Sequence, residues 1–182
     1  IADWLYKKEI TSVDEMTNLS KKMRETISND YEIGLSAPVS EALSTDGTKK
    51  YLFQVLRGKF IETAYIPEKE RATLCVSSQA GCKMGCIFCM TGRQGFQGNL
   101  SSNEILNQFR SIPEFRQLTN IVYMGMGEPL DNLEEVLKSL EILTGEWGYG
   151  WSPTRITVST IGLKNRIREF LERSRCHLAI SL

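Results

Sequence analysis

From Thr73 onward the chain alternates strand-like runs with helical patterns, and this alternation narrows the available folds more than any other feature. Residues 74–77, 120–124, 155–159 and 177–182 read as strands. Between them lie a helical pattern carrying Ile105, Leu106 and Phe109, with Ser102 as its cap, and two more over 133–143 and 163–171. Strands separated by a whole helix do not pair as tight hairpins. They pair in parallel, with the intervening helices covering the sheet. Three and a half such units fit an interrupted (β/α) barrel as well as an open sheet. The expected class is α/β, a partial (β/α) barrel over 73–182.

Two smaller regions precede it. Residues 1–48 read as a helical accessory domain. Ser12 followed by Glu15 is a capping-box pattern, Ser20 suits a second cap, and Leu19, Met23 and Ile27 fall on one helical face. Residues 49–72 read as a β-hairpin, with strands over 51–56 and 60–66 turning at Arg57-Gly58-Lys59. The chain starts at Ile1 within a helical pattern and stops at Leu182 within an apolar run, which reads as a piece cut from a longer protein. There is no apolar run of the ~20 residues that span a bilayer, so a cytoplasmic enzyme without a membrane partner is expected.

The basic and acidic residues, 22 of each, cancel. Composition therefore gives no support for a nucleic-acid partner. Arg57, Lys59 and Arg71 lie near the hairpin and are candidates for phosphate contacts, but Glu68 and Glu70 intervene and favour an ordinary solvated surface.

Five cysteines are present, at 75, 82, 86, 89 and 176. Cys82, Cys86 and Cys89 form a C-x3-C-x2-C cluster in the Gly- and Cys-rich loop 79–100, directly after the first strand of the series. In parallel α/β proteins, ligands bind beyond the carboxyl ends of the strands. Three close thiolates can each hold one iron of a 4Fe-4S cubane and leave the fourth open to a small chelating molecule. The alternative is zinc, which prefers four ligands in pairs. Cys176 and the lone His177 are the distant candidates for a fourth, but no second pair exists. Zinc would make the chain a metal-stabilised interaction module.

With Phe88 as the aromatic of C-x3-C-x-aromatic-C, the cluster resembles the signature of the radical S-adenosylmethionine superfamily. The segments Thr73-Leu-Cys-Val-Ser-Ser-Gln-Ala-Gly-Cys82, Gly95-Phe96, Asn99-Leu100, Tyr123-Met-Gly-Met-Gly-Glu-Pro-Leu130 and Thr157-Val-Ser-Thr160 resemble the adenine methyltransferases of the RlmN/Cfr family. The likeness runs over nearly the whole chain from about residue 51. It implies a radical SAM partial barrel and two cofactors, a 4Fe-4S cluster and S-adenosyl-L-methionine. An electron from the cluster would cleave the sulfonium to an adenosyl radical. Methylation of adenosine carbon 2 in 23S rRNA and in tRNA is implied, with an electron donor such as flavodoxin. The Cfr-type alternative modifies carbon 8, and another radical SAM activity is the remaining enzymatic option. Carbon 2 of adenine is electron-poor, which is why a radical route is needed.

The resemblance also assigns roles. Cys82, Cys86 and Cys89 would hold the cluster. Phe88, Gly127, Glu128, Ser159, Ser181 and Leu182 would contact S-adenosylmethionine, with Glu128 receiving its ammonium group. Cys75, by itself an ordinary buried strand thiol, matches the second cysteine that resolves a methyl-cysteine adduct with RNA. Glu62, by itself a surface glutamate on an edge strand, matches the proton acceptor. The methyl-carrying cysteine lies beyond Leu182 in the family, so the piece alone is expected to be inactive. Ile161 departs from the family, where a polar Ser is common.

Overall fold

The computed structural model describes residues 1–55 and 58–181. Its centre is a seven-stranded sheet with strands β1 (Ser40–Leu43), β2 (Lys49–Val55), β3 (Lys59–Pro67), β4 (Ala72–Cys75), β7 (Asn120–Tyr123), β8 (Ile156–Thr160) and β9 (His177–Ile180), side by side in that order. The first four pair antiparallel and the last four parallel, so β4 is the seam between the two halves. The sheet is open along its two edges rather than closed into a barrel. The two β-type runs at 51–56 and 60–66 do pair as an antiparallel ladder, Tyr51 opposite Thr63 and Phe53 opposite Ile61. Leu56 and Arg57 lie outside the described residues, as does the suggested phosphate contact of Arg57.

Helices α3 (Ser102–Arg110), α4 (Leu133–Thr144) and α5 (Lys164–Arg173) connect the parallel strands. Strand side chains alternate between faces. Leu74, Ile121, Tyr123, Ile156 and Val158 are buried in one core with Ile105 and Phe109 of α3, Val136 and Leu140 of α4, and Phe170 of α5. On the opposite face, Ala42, Lys50, Ala64, Cys75, Val122, Thr157 and His177 form one row straight across all seven strands. None of that row is fully buried. The helices thus cover one face and leave the other accessible.

The front of the chain has its own small core of Ile10, Val13 and Met16, against which Leu19 and Ile27 pack. Both predicted caps form: Ser12 and Glu15 make the capping box, and Ser20 caps α1 (Lys21–Asp30). Met23 differs from expectation. It is 53% exposed, because a three-residue core is too small to cover the whole helical face. Strand β1 also falls in a stretch read as helical. Its Ser-Glu-Ala-Leu sequence is exposed at every position and has no strand pattern; the free edge of β2 supplies its ladder. The front docks through Tyr6, which meets Tyr149 and Trp147 edge-on at 5.3 and 5.9 Å. The linker is held by Asn107, whose amide both accepts from Ser36 N–H (2.8 Å) and donates to Ser36 C=O (2.9 Å).

One polar network ties β1 and β2 to the approach to β7. Glu114, nearly buried, accepts from Tyr51 Oη at 2.7 Å and pairs with Lys49 Nζ at 2.7 Å, which also reaches Glu41 at 3.1 Å. Burial alone would raise the Glu114 carboxyl, but the hydrogen bonds from Lys49 and Tyr51 outweigh it and hold it below its usual value. A carboxyl depressed in the folded state stabilises above its unfolded pKa, about 4.3, and that contribution disappears as pH falls through the lower folded value. Urea midpoints are therefore expected to be flat from pH 7 to about pH 5 and to fall below about pH 4. Glu114→Gln should lower the neutral plateau and flatten the acid limb.

Candidate active site: a cleft at the ends of the parallel strands

β4 continues past Cys75 by one more parallel bond, Val76 N–H to Val122 C=O (2.9 Å), and then peels out of the sheet. Three buried side-chain amides catch it. Gln108 of α3 accepts from Ser77 N–H (2.8 Å) and donates to Ser77 C=O (2.9 Å), so it substitutes for a neighbouring strand. Asn132 donates to the carbonyls of Ser78 (2.9 Å) and Leu100 (2.8 Å). Gln79 accepts from Glu128 N–H (2.9 Å) and donates to Asn99 (2.8 Å) and Asp131 (2.7 Å). The stretch 79–100, expected as plain loop, is closed at its base by a two-strand ladder, β5 (Gln79–Ala80) with β6 (Gly98–Asn99). It also contains a single helical turn, α2 (Met90–Arg93). Gly81 sits at φ +71°, where a Cβ would overlap the Gly95 carbonyl oxygen, so only glycine lets the two ends of the loop meet. The helix after the loop is capped by Ser101, not Ser102 as expected. Ser101 has extended backbone and a capping box with Glu104, while Ser102 is already helical and buried.

Between this loop and the sheet lies a cleft of about 270 Å³ at the carboxyl ends of β7, β8 and β9. Cys82, Cys86, Cys89 and Phe88 line it from the loop, Gly127 and Glu128 from the turn after β7, Ser159 from β8 and Ser181 from the end of β9. Eight of the predicted site residues, spread over a hundred positions of sequence, thus face one cavity. Leu182 lies outside the described residues. Ile161 also lines the cleft, 43% exposed.

The three thiols are free and half-buried. Burial pushes the Cys82 thiol up; the Met84 N–H it accepts opposes this, while the neighbouring Cys89 and Cys86 sulfurs add to it. Bound iron would reverse that balance, since a coordinating thiol loses its proton. Among the described residues no three His, Cys, Asp or Glu side chains converge on one point, as the ligands of a single ion would. The ligands of a cubane sit on separate irons and need no such convergence. A loop of three accessible soft thiols beside a cleft with no fourth cysteine or histidine lining it among the described residues fits a cluster with one open iron. It does not fit a closed zinc tetrahedron. His177 is exposed on β9 and Cys176 is buried in the core; neither lines the cleft.

Glu128 is 3% exposed. Its carboxylate accepts from Leu130 N–H and Ile161 N–H, each at 3.0 Å, and so bridges the turn after β7 to the turn after β8. Each oxygen keeps a further acceptor position. Gly127, at φ +94°, lines the cleft, and a Cβ there would collide with the side chain of Gln79. Ser159 and Ser181 hydroxyls lie 3.1 Å apart on adjacent strands. Phe88 is 91% exposed at the mouth of the cleft.

Glu62 and Cys75 do not line this cleft. They stand beside it on the accessible face, with Cys75 in register with Ala64, two positions from Glu62 along β3. Glu62 pairs with Lys50 at 2.9 Å, and its backbone N–H points at the Met126 sulfur (3.3 Å). Burial pushes the Cys75 thiol up. Sequence reasoning missed the amides Gln79, Gln108 and Asn132. The one available signal was Gln108, a polar residue three positions from Ile105 on the buried helical face.

The comparisons with known proteins agree with this geometry. The family model described as "Radical SAM superfamily" matches residues 76–182, and that of the "Ribosomal RNA large subunit methyltransferase N-terminal domain" matches residues 1–33. The "Probable dual-specificity RNA methyltransferase RlmN" of Bacteroides thetaiotaomicron is 63% identical over all of this chain, which covers 53% of that relative. The protein of the same name from Phocaeicola vulgatus is 64% identical, with 52% of its length covered. "Dual-specificity RNA methyltransferase RlmN" of Alkalilimnicola ehrlichii is 40% identical, also with 52% covered. The chain therefore spans about half the length of the curated relatives it matches. A crystal structure of a radical SAM methyltransferase from Sphaerobacter thermophilus superposes with a TM-score of 0.89 at 39% identity, over 99% of this chain and 55% of that one. With three thiols, a buried carboxylate and two serines around one cleft at the strand ends, and with these likenesses, the chain belongs to the radical SAM superfamily.

Proposed function

We propose that the chain is the cofactor-binding part of an RlmN-type RNA methyltransferase that modifies carbon 2 of an adenosine in 23S rRNA and in tRNA. The observation that carries this reading is the cleft itself: Cys82, Cys86, Cys89, Glu128, Ser159 and Ser181 face one cavity at the carboxyl ends of parallel strands. The relatives' names support the RNA substrate. On this reading residues 73–182 hold the cofactors, while the segments 1–48 and 49–72 frame the RNA-facing side and 49–72 supplies Glu62.

Cys82, Cys86 and Cys89 would hold a 4Fe-4S cluster, which supplies the electron that splits the sulfonium of S-adenosylmethionine. Glu128, kept in place by two backbone donors, offers its free acceptor positions to the ammonium group of that ligand. Ser159 and Ser181 present hydroxyls to its polar end, and Phe88 closes the mouth with an apolar ring. Cys75 and Glu62 occupy the accessible face next to the cleft. There a methyl-cysteine route needs one thiol to release the product and one carboxylate to accept a proton. Burial keeps the Cys75 thiol protonated until a base approaches. A reductant such as flavodoxin and a cytoplasmic setting follow from the same reading. Among the described residues no helix is long and apolar enough to cross a membrane.

The test is anaerobic reconstitution of the full-length parent with S-adenosylmethionine and fragments of 23S rRNA or tRNA, followed by mass spectrometry. The expected product is 2-methyladenosine. A methyl on carbon 8 would favour the Cfr-type reaction, and unmodified adenosine with uncleaved S-adenosylmethionine would refute the proposal.

A further inference from the structure

Lys83 lies between the first two cleft cysteines, and its environment is built. Its Nζ pairs with Asp131 Oδ2 at 2.9 Å and stands 4.2 Å from the centre of the Phe96 ring. Asp131 belongs to the single 3-10 turn Pro129–Asn132 that follows Glu128, and the same Oδ2 accepts from Gln79 Nε2 at 2.7 Å. Phe96 lies on the far arm of the cysteine loop. One side chain therefore joins three pieces of chain: the cysteine segment, the returning arm of its loop, and the turn that carries the buried carboxylate. Among the described residues no Lys or Arg lines the cleft itself, and Lys83 stands behind its wall, between Cys82 and Met84, which do.

We infer that Lys83 is a positioning residue: its pair with Asp131, backed by the Phe96 ring, latches the cysteine loop to the Glu128 turn and sets the two walls of the cleft at a fixed separation. The physical reason is entropic. Little packing holds the middle of the loop, where Ile87 and Phe88 are 87% and 91% exposed. A loop of this kind must lose its conformational freedom when three sulfurs take up one cluster. A latch closed beforehand removes part of that cost, so the cluster is held longer. Lys83 also carries a positive charge on the residue next to Cys82, and nearby charge is one of the influences on a cluster's reduction potential. Asp131 opposes it, so each partner alone would shift the potential in its own direction.

The inference rests on the cluster reading of Cys82, Cys86 and Cys89, and its test separates the two. The chain and its Lys83→Arg, Lys83→Met and Asp131→Asn variants are reconstituted anaerobically with ferrous iron and sulfide. Iron loss to a chelator, the reduction midpoint by EPR-monitored titration and the melting temperature of the iron-free form are then measured. Lys83→Met and Asp131→Asn are expected to lose iron at least threefold faster than wild type, and Lys83→Arg within twofold of it. The midpoint should fall in Lys83→Met and rise in Asp131→Asn, a divergence that a merely structural role would not produce. Iron-free melting should move by no more than a few degrees, because the pair is partly exposed. Iron loss at the wild-type rate in both variants overturns the latch while leaving the cluster in place. A wild-type chain that takes up no iron and sulfide overturns the cluster reading and the latch with it.

Discussion

Alanine in place of any one of Cys82, Cys86 or Cys89 is expected to lower the iron retained after anaerobic reconstitution at least tenfold. A cubane held by three thiolates already has one open iron; removing a second ligand leaves half of its irons without protein sulfur. The three thiols sit on the loop rather than in the core, and all are half-buried. Their loss costs the apo fold little, so melting temperatures of the iron-free variants should stay within about 2 °C of wild type, in line with substitutions of less than ~0.5 kcal/mol. Iron and sulfide measurements beside a thermal melt check both halves. Full iron retention in the single variants would remove the basis for the cluster. A collapse of the iron-free fold would mean that these cysteines serve the structure instead.

Glu128→Ala is expected to act in the opposite manner, through the fold first. It strands two backbone N–H groups, Leu130 and Ile161, whose acceptor it is. The Leu130 donor is buried, and such a donor left without a partner costs about 1–3 kcal/mol; the part-buried Ile161 donor adds less. A total of about 3 kcal/mol translates to a drop of roughly 6–12 °C in melting temperature for a chain of this size. Glu128→Gln keeps one carbonyl oxygen and loses the charge, so about half of that destabilisation is expected. Its affinity for S-adenosylmethionine, measured on the reconstituted chain, should fall about tenfold or more, since the ammonium loses a charge-assisted partner. Equal melting temperatures for wild type and Glu128→Ala would contradict the bridge. Unchanged binding in Glu128→Gln would remove this carboxylate from the ligand site.

These two sites were legible to different degrees. The cysteine spacing is local information: three thiols within eight residues can only sit on one loop, and the strand before it fixes where that loop emerges. Glu128 was legible as a residue but not as a structural part. Its bridge to Ile161 crosses 33 positions, and no periodicity records such a contact. The same holds for Gly127, where a Cβ would meet the side chain of Gln79, 48 residues earlier.

The helix caps at Ser12 and Ser20 and the strand–helix alternation from residue 73 could be read directly, because each depends on residues a few positions apart. What needed three dimensions was everything set by contact between distant segments. Strand β1 exists because β2 offers a free edge, and the amides of Gln108 and Asn132 find their partners only once α3 and the turn before α4 are packed. The accessible face that gathers Lys50, Glu62 and Cys75 follows from the helices lying on the other side. Short-range order is written in neighbouring side chains through backbone preference and hydrophobic period. A cleft is made where chain ends from separate strands meet, and only packing decides which ends those are.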